Sequence, residues 1–252
     1  MPGLPIERPQ KIIAVGMNYR DHAAEAGNEV PEKPVVFAKW PNSLVGPGEP
    51  IVIPSWVEEV DYEAELGVVI GQRARGVTPD EALRFVAGYV CVNDVSSRKL
   101  QFEDGQWSRA KSIDTFTPVG PRLAPASEIS DPQALHIRCL VNGRALQDSS
   151  THEMVFGVAE LISFISTGIT LEPGDLIATG TPAGVGFTRE PPVFLGDGDE
   201  VTVEIEGIGA LTNPVRKEAR DGVRPDSEDD GEGRRGGERR RGIPGLGRGV
   251  SR

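Results

Sequence analysis

Short apolar runs bounded by glycine or proline recur along most of the chain. Ile12 to Val15, Val35 to Ala38 and Ile51 to Ile53 are three of them, and runs of this kind predict strands. Val60 to Ile70 and Tyr89 to Asp94 predict longer strands. His136 to Val141 leads into Asn142-Gly143, a hairpin turn signal because both residues tolerate positive φ. Late strands are predicted at Asp175 to Thr179 and Val201 to Glu206. Three segments read as helices. Thr78-Pro79-Asp80-Glu81 forms a capping box with proline at the first helical position, and Gly88 stands where a stop belongs. Ser150-Thr151-His152-Glu153 is a second capping box, opening a periodic run through Val155, Ala159, Ile162 and Ile165 that ends before Gly168. The third helix is short, from about Asn18 to Ala26, with Gly27 as its stop. Many strands and few helices, in no βαβ rhythm, predict an α+β fold.

The apolar pattern fades near Arg216. From Asp226 to Arg241 the chain is Asp, Glu, Gly, Ser and Arg only, too polar to offset its ordering entropy by burial, so 217–252 is expected to be a disordered tail. Residues 1–10 are read as an N-terminal extension and 11–216 as the folded domain. Net charge over the whole chain is −11. The tail holds ten basic and eight acidic residues, which leaves −13 on the rest. An acidic body argues against a nucleic-acid partner, while a bound dication can still reverse the local field toward a small anion. Cys91 and Cys139 lie in apolar runs and read as buried structural thiols rather than as a disulfide or zinc framework. With neither a signal-peptide pattern nor an apolar run long enough for a bilayer, the expectation is a cytoplasmic protein that binds no membrane.

Candidate chemistry centres on Val60-Asp61-Tyr62-Glu63-Ala64-Glu65-Leu66. As a strand it sends Asp61, Glu63 and Glu65 to one face. Three carboxylates in a row repel one another unless something positive sits among them. The segment is therefore either a solvated acidic edge or part of an oxygen site for a hard dication. Asp94, at the mouth of the next apolar strand, either completes such a site or caps a helix. His22 and Glu25 are three apart on the short helix and share a face. They form either a surface pair or a carboxylate-oriented general base. Lys111 is either a surface lysine or a partner for a substrate carboxylate. The glycine-rich loop Thr179–Gly186 lacks the phosphate-loop ending and reads as a loop whose amides and threonines touch a small anion.

Taken together and in order, five segments resemble the fumarylacetoacetate hydrolase superfamily, and in particular its short members acting as acylpyruvate hydrolases, oxaloacetate decarboxylases or dienedioate isomerases. They are Gly16-Met17-Asn18-Tyr19-Arg20-Asp21-His22-Ala23-Ala24-Glu25, Asp61-Tyr62-Glu63-Ala64-Glu65-Leu66, Asn93-Asp94-Val95-Ser96, Lys111-Ser112-Ile113-Asp114-Thr115-Phe116 and Thr179-Gly180-Thr181-Pro182-Ala183-Gly184-Val185-Gly186. The resemblance implies a mixed β-sheet roll, a homodimer, and a magnesium site (manganese the alternative) held by Glu63, Glu65 and Asp94 with Asp61 behind them. It also implies His22 and Glu25 as a catalytic dyad on a lid, Lys111 as a further catalytic residue, and Gln101, Thr181 and Gly180 as substrate contacts. One departure stands out: Lys99 follows Ser97-Arg98 where the family commonly has an acidic residue.

These residues suit a small α-keto acid substrate. In a 2,4-dioxo acid, His22 would draw a proton from water, hydroxide would attack the 4-oxo carbon, and cleavage between C3 and C4 would leave pyruvate enolate. Decarboxylation of oxaloacetate, or isomerisation of a 2-hydroxyhepta-2,4-diene-1,7-dioate or decarboxylation of a 5-carboxymethyl-2-oxo-hex-3-ene-1,7-dioate, passes through related enolates. The His-Glu pair tilts the expectation to hydrolysis. A non-catalytic metal-binding scaffold is the third reading, and the presence of His22, Glu25 and Lys111 counts against it.

Overall fold

The structure, a computed structural model, describes residues 3–218; the predicted tail from Ala219 onward lies outside them. The strands are β1 (Ile12–Gly16), β2 (Val35–Lys39), β3 (Leu44–Val45), β4 (Ile51–Ile53), β5 (Val60–Asp61), β6 (Ala64–Ile70) and β7 (Val86–Asn93). They continue with β8 (Ser96–Ser97), β9 (Thr117–Pro125), β10 (His136–Val141), β11 (Arg144–Ser150), β12 (Leu176–Ala178), β13 (Glu200–Ile205) and β14 (Gly209–Lys217). The α-helices are short: α1 (Arg20–Glu25), α2 (Pro79–Ala82), α3 (Arg98–Asp104), α4 (Trp107–Lys111) and α5 (Val158–Gly168).

A seven-stranded mixed sheet runs in the order β2-β1-β12-β6-β7-β9-β3, and a five-stranded sheet in the order β11-β10-β13-β14-β4. β1 pairs parallel with β12, and β6 pairs antiparallel with both β12 and β7. The period of two explains why this sheet can be buried on both faces. Leu66, Val68 and Ile70 of β6 enter the main core with Ile13 and Val15 of β1, while Val69 joins Ile12 and Ala14 in a second cluster on the opposite face. Ile6 belongs to that second cluster, so part of the first ten residues packs on the sheet. All seven residues of β6 are buried, and truncating one of its large side chains, such as Leu66→Ala, would cost about 2–5 kcal/mol. α5 buries Val158, Leu161, Ile162 and Ile165, an i, i+3, i+4, i+7 stripe.

Most predicted strands stand within a residue or two of their expected places. Three expectations need correction. The predicted strand from Val60 to Ile70 is interrupted at Tyr62 and Glu63, because β5 leaves the sheet to pair with β8. Gly88 ends no helix: α2 stops at Ala82, a 3-10 turn follows through Phe85, and Gly88 lies inside β7, against Ala124 of β9. Ser150 caps only a 3-10 turn, its hydroxyl accepting from His152 N. The long helix instead starts after Gly157, whose N–H donates to Glu160 Oε2 at 2.8 Å. The sequence also carried no predicted strand for β9, β11 or β14, and no predicted helix for α3 or α4. As expected, α1 is followed by Gly27 in the left-handed region, at φ 67°, where glycine is favoured.

Candidate active site

The central strands deliver the acidic residues to one place. Glu63 sits in the break between β5 and β6, Glu65 follows on β6, and Asp94 stands just past the end of β7, beside β6 in the sheet. Asp94 N donates to Glu63 O at 2.9 Å, and Glu63 N donates to the Asn93 side chain at 3.0 Å. One carboxylate oxygen from each of Glu63, Glu65 and Asp94 lies within 4.8 Å of the others, and all three residues are buried. The acidic segment is therefore no solvated edge, because its carboxylates lie at 0–6% exposure.

Buried carboxylates must be paired. Lys111, at the end of α4, places Nζ 2.8 Å from Glu63 Oε2, 2.8 Å from Asp94 Oδ2 and 2.7 Å from Ser96 Oγ. Lys39, at the end of β2, donates to the other Asp94 oxygen at 2.5 Å and to Phe116 O at 3.0 Å. Arg98, opening α3, pairs with Asp61 Oδ2 at 2.8 Å and Glu63 Oε1 at 2.6 Å. Asp61 also accepts from the amides of Gly186 and Phe187, so it braces Arg98 and the 184–188 loop from behind the triad. Burial would raise the Glu63 carboxyl, but Lys111 and Arg98 outweigh it and hold it below the ordinary range. Glu65 has no ion pair among the described residues. Burial, with Asp94 and Glu63 beside it, pushes its carboxyl well above the ordinary value.

That imbalance tests whether a dication fits. Four buried carboxylates (Asp61, Glu63, Glu65 and Asp94) face three buried cations (Lys39, Arg98 and Lys111). By formal charge Glu65 is the one carboxylate without a cation, and its raised carboxyl reflects the cost of ionising it there with no positive partner. An all-oxygen donor set with surplus negative charge suits a hard cation that keeps positions for water or substrate. The residues therefore fit such an ion.

A cavity of about 140 Å³ opens above the triad. His22 lines it from α1, with Nδ1 3.5 Å from Glu25 Oε2. This is longer than a good hydrogen bond. Glu25 is tied down by Gly184 N at 3.0 Å, which fastens α1 to the glycine-rich loop. Burial raises the Glu25 carboxyl, but His22, the Gly184 amide and Thr188 together bring it below its ordinary value. Gln101 and Thr181 line the same cavity. Arg98 Nη1 donates to Gln101 Oε1 at 2.9 Å, so the amide nitrogen is the end left for a ligand. The Thr181 hydroxyl donates to Ala64 O at 2.9 Å and accepts from Gln147 at 2.7 Å. Gly180 N donates to Glu65 Oε2 at 3.0 Å, so in this structure it steadies the triad rather than facing the cavity. Its φ is 98°, and a Cβ there would meet Asn18 Cβ at 2.8 Å, so only glycine brings this amide to Glu65.

All nine sequence candidates thus lie in or immediately around one cavity. Lys99 does not: it pairs with Glu58 at the surface, at 3.1 Å, so the departure noted in the sequence leaves the cavity wall alone. Sequence reasoning missed Lys39, whose only signal is a lysine closing an apolar strand run. It also missed the aromatic wall of Phe37, Phe102, Trp107 and Phe187. Cys91 and Cys139 are free and buried. Among the described residues no helix is long and apolar enough to cross a membrane.

Residues 11–216 match the family model described as fumarylacetoacetate (FAA) hydrolase C-terminal. The chain is 48% identical over 213 residues to the mitochondrial oxaloacetate tautomerase fahd2 of Xenopus laevis, covering 84% of this chain and 67% of that protein. Among solved structures it is similar to the 5-carboxymethyl-2-hydroxymuconate delta-isomerase of Mycobacterium smegmatis, with a TM-score of 0.77 and 43% identity over 86% of this chain and 82% of that one. It is also similar to the fumarylacetoacetate hydrolase of Exiguobacterium antarcticum, with a TM-score of 0.78 and 43% identity over 86% and 78% of the two chains.

Proposed function

We propose that this chain, which belongs to the fumarylacetoacetate hydrolase family of enzymes, catalyses magnesium-dependent proton transfer at C3 of a 2-oxo acid, interconverting its keto and enol forms. The observation that carries this reading is the stacking of one base over one acidic triad. His22 lines the cavity whose floor is Glu63, Glu65 and Asp94. Relatives named as a tautomerase and an isomerase support proton transfer as the reaction.

Glu25 faces Nδ1 of His22, which leaves Nε2 to take the C3 proton. The electron pair then moves from the C3–H bond toward the 2-oxo oxygen, and return of the proton to that oxygen gives the enol. A dication held by Glu63, Glu65 and Asp94 would supply Lewis-acid stabilisation of the charge developing there. Gln101 presents its amide N–H to the ligand because Arg98 occupies its oxygen. Lys111 lies at the same floor, where it offsets the charge of Glu63 and Asp94 and so lowers the repulsion a substrate carboxylate would meet.

A second reading is hydrolysis of a 2,4-dioxo acid. It is favoured by the Glu25-oriented base, which can equally take its proton from water, and by the similar structure titled a hydrolase. The two readings part on products. Purified protein with magnesium is given oxaloacetate and, separately, acetylpyruvate in heavy water. Proton transfer predicts accelerated keto–enol equilibration with deuterium entering C3 and the carbon skeleton intact. Accumulating acetate and pyruvate from acetylpyruvate would replace this reading with the second.

A further inference from the structure

The wall of the same cavity identifies the kind of substrate tail it takes, an inference that rests on the 2-oxo acid reading above. The floor is buried at 0–6% exposure, whereas Phe102 of α3 is 65% exposed and lines the cavity at its mouth. Phe102 meets Phe187 edge-on, with ring centroids 6.0 Å apart and planes at 67°. Trp107 of α4 meets Phe37 of β2 in the same way, at 5.4 Å and 78°. Two aromatic pairs therefore line the passage from the triad to solvent.

The cations on this wall are already committed. Arg98 is held by Asp61 and Glu63 and lies 4.4 Å from the Phe187 ring centroid. Lys111 is held by Glu63 and Asp94. No other lysine or arginine lines the cavity among the described residues. The charge balance leads the same way. The cluster carries one surplus negative charge, a dication converts it to one positive charge, and the 1-carboxylate of a 2-oxo acid neutralises that. A second carboxylate farther along the substrate would meet aromatic rings and no unpaired cation, and burying it there is costly.

We propose that the outer half of the cavity is a subsite for an uncharged, apolar tail, and that Phe102 and Phe187 set this preference. The substrate class is a 2-oxo monocarboxylic acid with an aliphatic or aromatic end, in preference to a long dicarboxylate.

The test uses ligands with one head and different tails, titrated calorimetrically into the full chain with saturating magnesium. Oxalate reports the head site alone. 2-Oxoglutarate carries a charged tail, and 5-methyl-2-oxohexanoate carries an uncharged end of similar shape. The uncharged ligand is expected to bind about tenfold or more tightly than 2-oxoglutarate. Phe102→Ala should weaken it while leaving oxalate unchanged. Phe102→Arg, at an exposed position that folding tolerates, should close the gap by improving 2-oxoglutarate. If oxalate binds but 2-oxoglutarate binds as well as the uncharged ligand, the subsite proposal falls and the head site stands. If oxalate itself fails to bind, the 2-oxo acid reading falls and the subsite with it.

Discussion

Lys111 Nζ stands 2.8 Å from Asp94 Oδ2, so the lysine that α4 buries is anchored by a carboxylate of the triad. It shares itself with Glu63 at the same distance. Removing it leaves two buried carboxylates short of a partner, which costs about 3–5 kcal/mol. Lys111→Met is therefore expected to lose that much stability in urea unfolding with excess chelator. Saturating magnesium should recover much of the loss, because the ion restores positive charge at the same oxygens. An equal loss with and without magnesium would mean that the ion does not bind beside Lys111.

Metal binding and base catalysis should separate by residue. Glu63→Gln is expected to weaken magnesium affinity by about a hundredfold or more. His22→Ala should leave that affinity unchanged while lowering kcat by about 10²–10⁴. Calorimetry and steady-state kinetics on the two variants check both halves. Unchanged metal affinity in the Glu63 variant would remove it from the ligand set.

The thiols give a check on the core. Burial pushes the Cys91 thiol up to about 12 and raises Cys139 further. Neither forms appreciable thiolate near neutral pH, and thiolate is the reactive form. The native protein should not react with a thiol reagent at about pH 8, and both cysteines should react once it is unfolded in guanidinium. Fast labelling of native protein would contradict their placement.

Glu25 sets a pH dependence. Its folded-state carboxyl lies below the ordinary value, so the folded protein binds this proton less readily than the unfolded chain. Its contribution to stability is full above the unfolded pKa of about 4.3 and is lost as pH falls through the lower folded value. Glu25→Gln should therefore show a shallower fall of stability with acid than the parent, read from urea midpoints at fixed magnesium. Identical slopes would indicate that Glu25 is not held by His22 and Gly184.

Much of this was legible in the residues, and the failures have physical causes. The acidic triad could be picked out because Glu63 and Glu65 share a strand periodicity and Asp94 ends the neighbouring run, and the family resemblance joined the three. The same periodicity also put Asp61 on their face, yet the break at Tyr62 and Glu63 turns Asp61 to Arg98 and the 186–187 amides instead. Ser150 has the composition of a helix cap, but Thr151 N pairs with Leu135 O at the end of β11, and tertiary pairing outweighs the local signal. α3 and α4 have too few turns to show a period, so Gln101, Phe102, Trp107 and Lys111 could not be seen as one wall. Lys39 lay hidden because a buried lysine at a strand end looks like a solvated one until its partner, fifty-five residues away, is in place.

The most direct test of the central claim is the rate of keto–enol equilibration of phenylpyruvate, a 2-oxo monocarboxylic acid, followed by enol absorbance, for the parent protein and Glu63→Gln with magnesium and with excess chelator. The account predicts acceleration by the parent with magnesium only, and none by the variant in either condition. Equal acceleration by the parent in chelator, or by Glu63→Gln with magnesium, would contradict it.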